Sequence, residues 1–165
     1  EKLAELWVSM ETMKAFLRAA EVDAALDEWG VMRPAWNPLD AARSLFPKLY
    51  PRMVEIIQQI GASGLVAMPM EQDLKGPLAE DIKRYYQAAR AEAFDRIPLF
   101  RLAWDASLSA FASRQVLYER FFFGDPVRMA GALVANHQTQ IQEQAARVLD
   151  FVRQGRDEAF ATAGR

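Results

Sequence analysis

Leu3, Leu6, Trp7, Met10, Met13, Leu17, Ala20 and Ala24 recur at steps of three and four residues. That spacing builds one apolar stripe along an α-helix. Lys2, Glu5, Glu11, Lys14 and Arg18 fall outside the stripe. The same period returns between Pro38 and Ile60, between Ala91 and Phe122, and after Pro126, while no two-residue alternation persists long enough for a sheet. The expected fold is therefore all-α, a bundle of four or five principal helices, with residues 1–165 read as a single helical domain.

The punctuation divides the pattern. The first helix is expected to stop near Trp29-Gly30, with Pro34 forcing Arg33 towards an extended shape. Asn37-Pro38 reads as a start signal, and Pro47 and Pro51 predict a break or kink across Phe46 to Tyr50. Gly61-Ala62-Ser63-Gly64 ends that element, Leu65 to Met70 is expected to be extended, and Asp73 to Pro77 to turn. A short helix should carry Ile82, Tyr85 and Tyr86. A long one, kinked at Pro98, should offer Phe94, Ile97, Leu102, Trp104, Leu108, Phe111, Leu117 and Tyr118 to the core. Gly124-Asp125-Pro126 breaks this run and opens one last helix through Val127, Val134, His137, Ile141, Val148 and Val152, with fraying expected after Gly155.

Composition narrows the function classes. In 165 residues, 52% are hydrophobic, enough to support a packed core rather than disorder. The 20 basic and 22 acidic side chains nearly cancel, so no global field steers the chain to nucleic acid or an anionic membrane. No apolar run is long enough to span a bilayer. There is no cysteine, which excludes disulfides and thiolate chemistry within these residues and fits a reducing cytoplasm. Gly-rich dinucleotide and P-loop motifs are missing, and no His and carboxylates share metal-ligand spacing; the lone His137 reads as packed or partner-facing. Glu1 falls inside a helical pattern already under way, so the chain is expected to continue upstream.

Two segments carry candidate chemistry. Gln58 to Leu65 holds two glycines, either because a helix ends there or because something flat or charged approaches the backbone. Tyr118 to Met129 runs three aromatics into a helix start. Gly124 lets the chain turn, Asp125 can cap or hold a ribose or base donor, Pro126 suits the first helical position, and Arg128 is the charge partner for a phosphate. A plain helix–helix corner would account for the same residues.

Leu49 to Arg52, Gln59 to Leu65, Leu99 to Asp105, and Arg114-Gln115 through Tyr118 to Met129 stand in this order along the chain. Together they resemble the C-terminal domain of the 4-hydroxyphenylacetate 3-monooxygenase oxygenase family, with the match fading after Leu133. That family is similar in fold to acyl-CoA dehydrogenases, and the resemblance implies a C-terminal helical bundle cut from a larger flavin-dependent monooxygenase. It also implies a separate flavin reductase that supplies FADH2, and a full-length enzyme that adds oxygen ortho to a phenol hydroxyl.

The resemblance further implies that this chain holds FAD contacts but no catalytic residue, and is inactive alone. Gly124, Asp125, Pro126, Val127 and Arg128 match the FAD-contacting segment. Gln59, Gly61 and Gly64 loosely match a glycine turn that, in acyl-CoA dehydrogenases, touches the FAD of a neighbouring subunit, with Ala62 in place of its second glycine. A homodimer or homotetramer is expected, because Trp7, Trp29, Trp36, Trp104 and Phe121 to Phe123 exceed what a small bundle hides. The alternatives are a non-catalytic helical interaction module and a relative of 4-hydroxybutyryl-CoA dehydratase.

Overall fold

The computed structural model describes the backbone of residues 1–163 and the side chains of residues 1–156. It is helical throughout, with one small hairpin. The elements are α1 (Lys2–Val22), β1 (Ala25–Leu26), β2 (Met32–Arg33), α2 (Trp36–Gly61), a 3-10 turn (Ala62–Leu65), α3 (Glu71–Leu74), α4 (Ala79–Tyr85), α5 (Ala93–Ser107), α6 (Ala110–Phe121), α7 (Pro126–Asn136) and α8 (Gln138–Ala163). They fall into two compact units, Glu1–Pro126 and Val127–Arg165.

In the first unit α2 is the shared wall: α1, α5, α6 and the 3-10 turn all pack against it. Its prolines do not break it. Pro38 lies in the first turn, where no backbone donor is required, and Pro47 and Pro51 sit inside one continuous helix. The expected break at Phe46 to Tyr50 is thus absent. Pro98 likewise sits inside α5. The run ends at Leu108-Ser109, which separates α5 from α6. There the Ser107 hydroxyl donates to the Ala103 carbonyl (2.6 Å), and the Ser109 hydroxyl donates to the Asp105 carbonyl (2.7 Å) and accepts from the Ala112 amide (3.1 Å). Serine hydroxyls offer the backbone these alternatives to a continuous helix, and Ser109 caps α6.

The first helix ends at Val22, short of the expected Trp29-Gly30. Asp27 is the reason: its carboxylate accepts from the Trp29 and Val31 amides, both at 2.9 Å, and pairs with Arg33 at 2.5 Å. Gly30 takes φ +74, and Ala25 pairs with Arg33 in the antiparallel hairpin. Of the segment Leu65 to Met70 that was expected to be extended, Leu65 and Val66 are helical in backbone, while Met70 is extended (φ −85, ψ 162). Leu65 closes the 3-10 turn and is fully buried, and the expected turn at Asp73 to Pro77 begins as the short α3.

The crossings are made by small residues. Ser9 and Ala20 of α1, Ala42 of α2, Ala93 and Ser107 of α5 and Ala112 of α6 are buried, with Val54, Ile56, Leu65, Ile82 and Ile97 filling between. Small side chains let helix axes approach and leave the bulkier ones on the outer faces. So Leu3, Trp7 and Leu17 of the predicted stripe are exposed, as are Phe94, Leu102, Leu108, Phe111, Leu117 and Tyr118.

In the second unit, α7 and α8 divide at His137 where one helix was expected. The His137 amide donates to the Leu133 carbonyl, and its ring Nδ1 lies 3.2 Å from Gln140 Oε1. Helical backbone runs past Gly155 to Ala163, where fraying was expected; residues 164–165 lie outside the described residues. No described helix is long and apolar enough to cross a membrane.

Arg52 of α2 clips α1 with a two-point fork, Nε to Glu5 Oε1 at 2.6 Å and Nη2 to Glu5 Oε2 at 3.0 Å, and reaches Glu55 at 2.8 Å. Hydrogen bonding and charge from Arg52 hold the Glu5 carboxyl below its ordinary 4.5. A depressed carboxylate contributes stability that is complete above 4.5 and is lost as the pH falls through its folded-state value. Glu5→Gln should therefore lower stability at neutral pH and flatten the acid limb of the stability curve. Urea unfolding across the acid range checks this; an acid limb identical to the parent's would remove the clip from the pH dependence.

Candidate functional site

Helix α6 closes on an aromatic corner. The Phe122 amide donates to the Tyr118 carbonyl (2.7 Å) and the Gly124 amide to the Phe121 carbonyl (2.9 Å). Gly124 then takes φ +116, which an L side chain rarely adopts, and the chain enters α7 at Pro126. The rings stack in series: Tyr118 to Phe122 at 4.9 Å, and Phe122 edge-on to Phe123 at 4.6 Å. Phe123 is half-buried under the Arg43 guanidinium, 5.3 Å from its centroid, whereas Phe121 and Phe122 are each 53% exposed. Of the five predicted residues, Gly124, Asp125 and Pro126 end the first unit, and Val127 and Arg128 begin the second. Gly124 is half-buried, and Asp125, Pro126, Val127 and Arg128 stand on the surface.

The second predicted segment closes α2 at its far end. From Arg43 to Gly61 the helix advances roughly 27 Å at its standard rise, so the structure does not bring the two segments to one spot. Gln59 is exposed and donates to Glu55 at 2.8 Å. A Cβ on Gly61 would overlap the buried Leu65 side chain, and one on Gly64 would come within 2.5 Å of the Phe100 ring. The flat group that approaches Gly64 is thus Phe100 of α5, whose ring also lies 4.7 Å from the Arg96 guanidinium. Arg96 in turn donates to the Tyr86 carbonyl (3.1 Å), and the Tyr86 hydroxyl donates to Ala67. Between the glycines, Ala62 sits at φ +47, ψ −141, a backbone region that suits glycine.

A third feature was not singled out in the sequence. Phe111, Arg114, Leu117, Tyr118, Phe121 and Phe122 line an open groove of about 860 Å³ along α6. Their spacing is one helical face, so the groove was legible; Phe111, Leu117 and Tyr118 were instead read as core. The reason is Ala112, the buried residue of α6, while Phe111 and Leu117 turn outward. Where α2 meets α6, burial and the nearby Glu119 charge raise the Tyr50 hydroxyl above its ordinary value and keep it protonated. Among the described residues no group of three or more His, Cys, Asp or Glu could hold a metal ion.

The profile of the family described as 4-hydroxyphenylacetate 3-hydroxylase C terminal matches residues 1–152. The chain is 54% identical to the 4-hydroxyphenylacetate 3-monooxygenase oxygenase component of Thermus thermophilus, over 78% of this chain and 27% of that protein. It is 48% identical to a probable 4-hydroxyphenylacetate 3-monooxygenase of Bacillus subtilis, over 86% of this chain and 29% of that protein. The chain thus spans under a third of the length of these curated relatives. In structure it matches an oxygenase component of 4-hydroxyphenylacetate 3-monooxygenase solved with FAD and 4-hydroxyphenylacetate, with a TM-score of 0.83 and 46% identity over 93% of this chain and 33% of that one. A 4-hydroxybutyryl-CoA dehydratase of N. maritimus superposes with a TM-score of 0.77 over 90% of this chain and 30% of that one, at 19% identity, a likeness of fold alone.

The glycine turn makes opposite predictions at adjacent positions. Gly64→Ala forces Phe100 out of place and should destabilise the chain by about 1–3 kcal/mol, the usual range for overpacking. Ala62→Gly relieves a left-handed backbone and should be neutral to stabilising by about 1 kcal/mol. Thermal unfolding of the two variants beside the parent checks both signs; a destabilising Ala62→Gly would contradict the strained geometry.

Proposed function

The chain belongs to the 4-hydroxyphenylacetate 3-hydroxylase C-terminal family, and we propose that it is the C-terminal helical domain of an FADH2-dependent phenol ortho-monooxygenase. The observation that carries this is the 46% identity and common fold with an oxygenase solved with FAD and 4-hydroxyphenylacetate. On this reading the whole enzyme converts a phenol, O2 and FADH2 to a catechol, FAD and water. A separate reductase supplies the reduced flavin, and the chain alone catalyses nothing. The complete absence of cysteine fits a cytoplasmic enzyme.

The residues present fit part of an FAD site. In the first unit, Gly124 to Pro126 offer a backbone turn; in the second, Val127 and Arg128 offer the first turn of α7 and a guanidinium, groups suited to the nucleotide's polar portion. In the first unit, the α6 groove presents aromatic rings with Arg114, the mixture of flat apolar surface and positive charge that suits an anionic planar cofactor. When bound, reduced FAD supplies the electrons that activate O2. This chain's own residues hold and orient the cofactor; the proton-transfer groups lie elsewhere in the enzyme.

Gln59, Gly61 and Gly64 stand roughly 27 Å along α2 from the corner's anchor. That separation is accommodated if this turn faces the flavin of a neighbouring subunit; Gly61 and Gly64 are already covered by Leu65 and Phe100, so the exposed Gln59 is the part of the turn that would meet it. Homo-oligomerisation, as a dimer or tetramer, has separate support. Trp7, Trp29 and Trp36 are 64%, 70% and 48% exposed. Ile141, Val148 and Val152 also form an exposed stripe at helical spacing on α8.

Arg128→Ala in the full-length oxygenase should weaken reduced-FAD binding by about 1.5–3 kcal/mol, the range for a hydrogen bond to a charged group. Anaerobic titration with FADH2 measures it. An unchanged affinity would remove Arg128 from the site.

A further inference from the structure

Helix α2 reaches the aromatic corner through one side chain. Arg43 is three-quarters buried and lies 3.7 Å from Asp40 Oδ1, whose side chain is almost fully buried one turn earlier. Its guanidinium is 5.3 Å from the Trp36 ring centroid, two turns back on the same helix, and 5.3 Å from the Phe123 ring centroid. Phe123 is the residue immediately before Gly124 and its left-handed φ of +116. The contacts therefore run in series: Asp40 holds Arg43, Arg43 lies against Phe123, Phe123 packs on Phe122, and Phe122 packs on Tyr118.

The corner needs such a hold. Phe121 and Phe122 are half exposed, and a glycine with positive φ contributes no side chain of its own to keep the turn in place. A guanidinium against two aromatic faces, in a partly dry setting, is a strong and directional contact. The same arginine would be an expensive way to fill space, since burying its charge is favourable only with a partner, and Asp40 is that partner.

We propose that Arg43 is a positioning residue for the FAD-contacting turn: it pins Phe123 and so sets where the Gly124–Arg128 segment begins. It touches neither cofactor nor substrate. This inference rests on the proposed placement of that segment at the flavin.

The test uses the full-length oxygenase and anaerobic FADH2 titration, with turnover measured at saturating FADH2. Arg43→Ala should raise the Kd for FADH2 roughly tenfold, the factor that one desolvated cation–π contact supports, with kcat at saturation changed less than twofold. Arg43→Lys keeps the charge and should recover part of the loss. Phe123→Leu removes the ring on the other side of the same contact and should match Arg43→Ala; it also serves if Arg43→Ala does not fold. Arg52→Ala, which releases α2 from α1 away from the corner, should leave the Kd unchanged. Equal weakening by Arg52→Ala and Arg43→Ala would overturn the proposal, since any loosening of α2 would then suffice. If Arg128→Ala weakens FADH2 binding and neither Arg43→Ala nor Phe123→Leu does, the positioning role falls and the FAD reading stands. If none of the three has an effect, both fall.

Discussion

One helix, α2, carries side-chain ties to three of its neighbours. Along α2, Arg43 reaches the aromatic corner, Arg52 forks onto Glu5 of α1, and Gln58 donates to the Ser107 carbonyl at the end of α5 (2.6 Å). Between them, Ala42, Val54 and Ile56 face inward and are buried. The three ties are spread from the start of the helix to its end, so its continuity links them. That continuity holds through Pro47 and Pro51: packing on three neighbours outweighs the loss of two backbone hydrogen bonds.

The second constraint is what stays uncovered. Helix crossings built on Ala and Ser bring backbones close but bury little apolar area per residue, and Leu, Phe and Trp side chains are left on outer faces. Ordinary monomers scatter such residues singly; here Leu3, Trp7 and Val8 on α1 and Phe111, Leu117, Tyr118 and Phe121 on α6 gather on individual helices. At about 25 cal/mol per Å² of apolar surface, covering faces of this kind is a substantial driving force for association.

The helical class and the position of the Gly124 corner were legible because they rest on local rules: a three-to-four-residue period, and a Gly-Asp-Pro sequence that can only turn and restart. The ends of elements were legible where a side chain competes for the backbone, yet Asp27 and Ser109 were passed over in favour of the more conspicuous Pro47, Pro51 and Pro98. Proline's effect depends on what packs around it, which no local pattern records. Which face of a helix is buried was the least accessible. The apolar stripe of α1 predicts burial for Trp7, but the residues of α1 that are buried are Ser9 and Ala20, and Trp7 is 64% exposed. The glycines at 61 and 64 illustrate the same limit, since their partners Leu65 and Phe100 are fixed only by the tertiary fold.

If this bundle is a cofactor-holding part of a flavin-dependent oxygenase, reduced FAD must quiet the backbone at its corner. Amide hydrogen exchange of the full-length enzyme, with and without FADH2 under anaerobic conditions, reads this directly. Within residues 1–156 the strongest added protection should fall on 121–128, with a second and separate zone at 59–64 if the neighbouring subunit's flavin is contacted there. Exchange that is unchanged at both segments while protection appears elsewhere in the enzyme would contradict a role for this domain in holding the flavin.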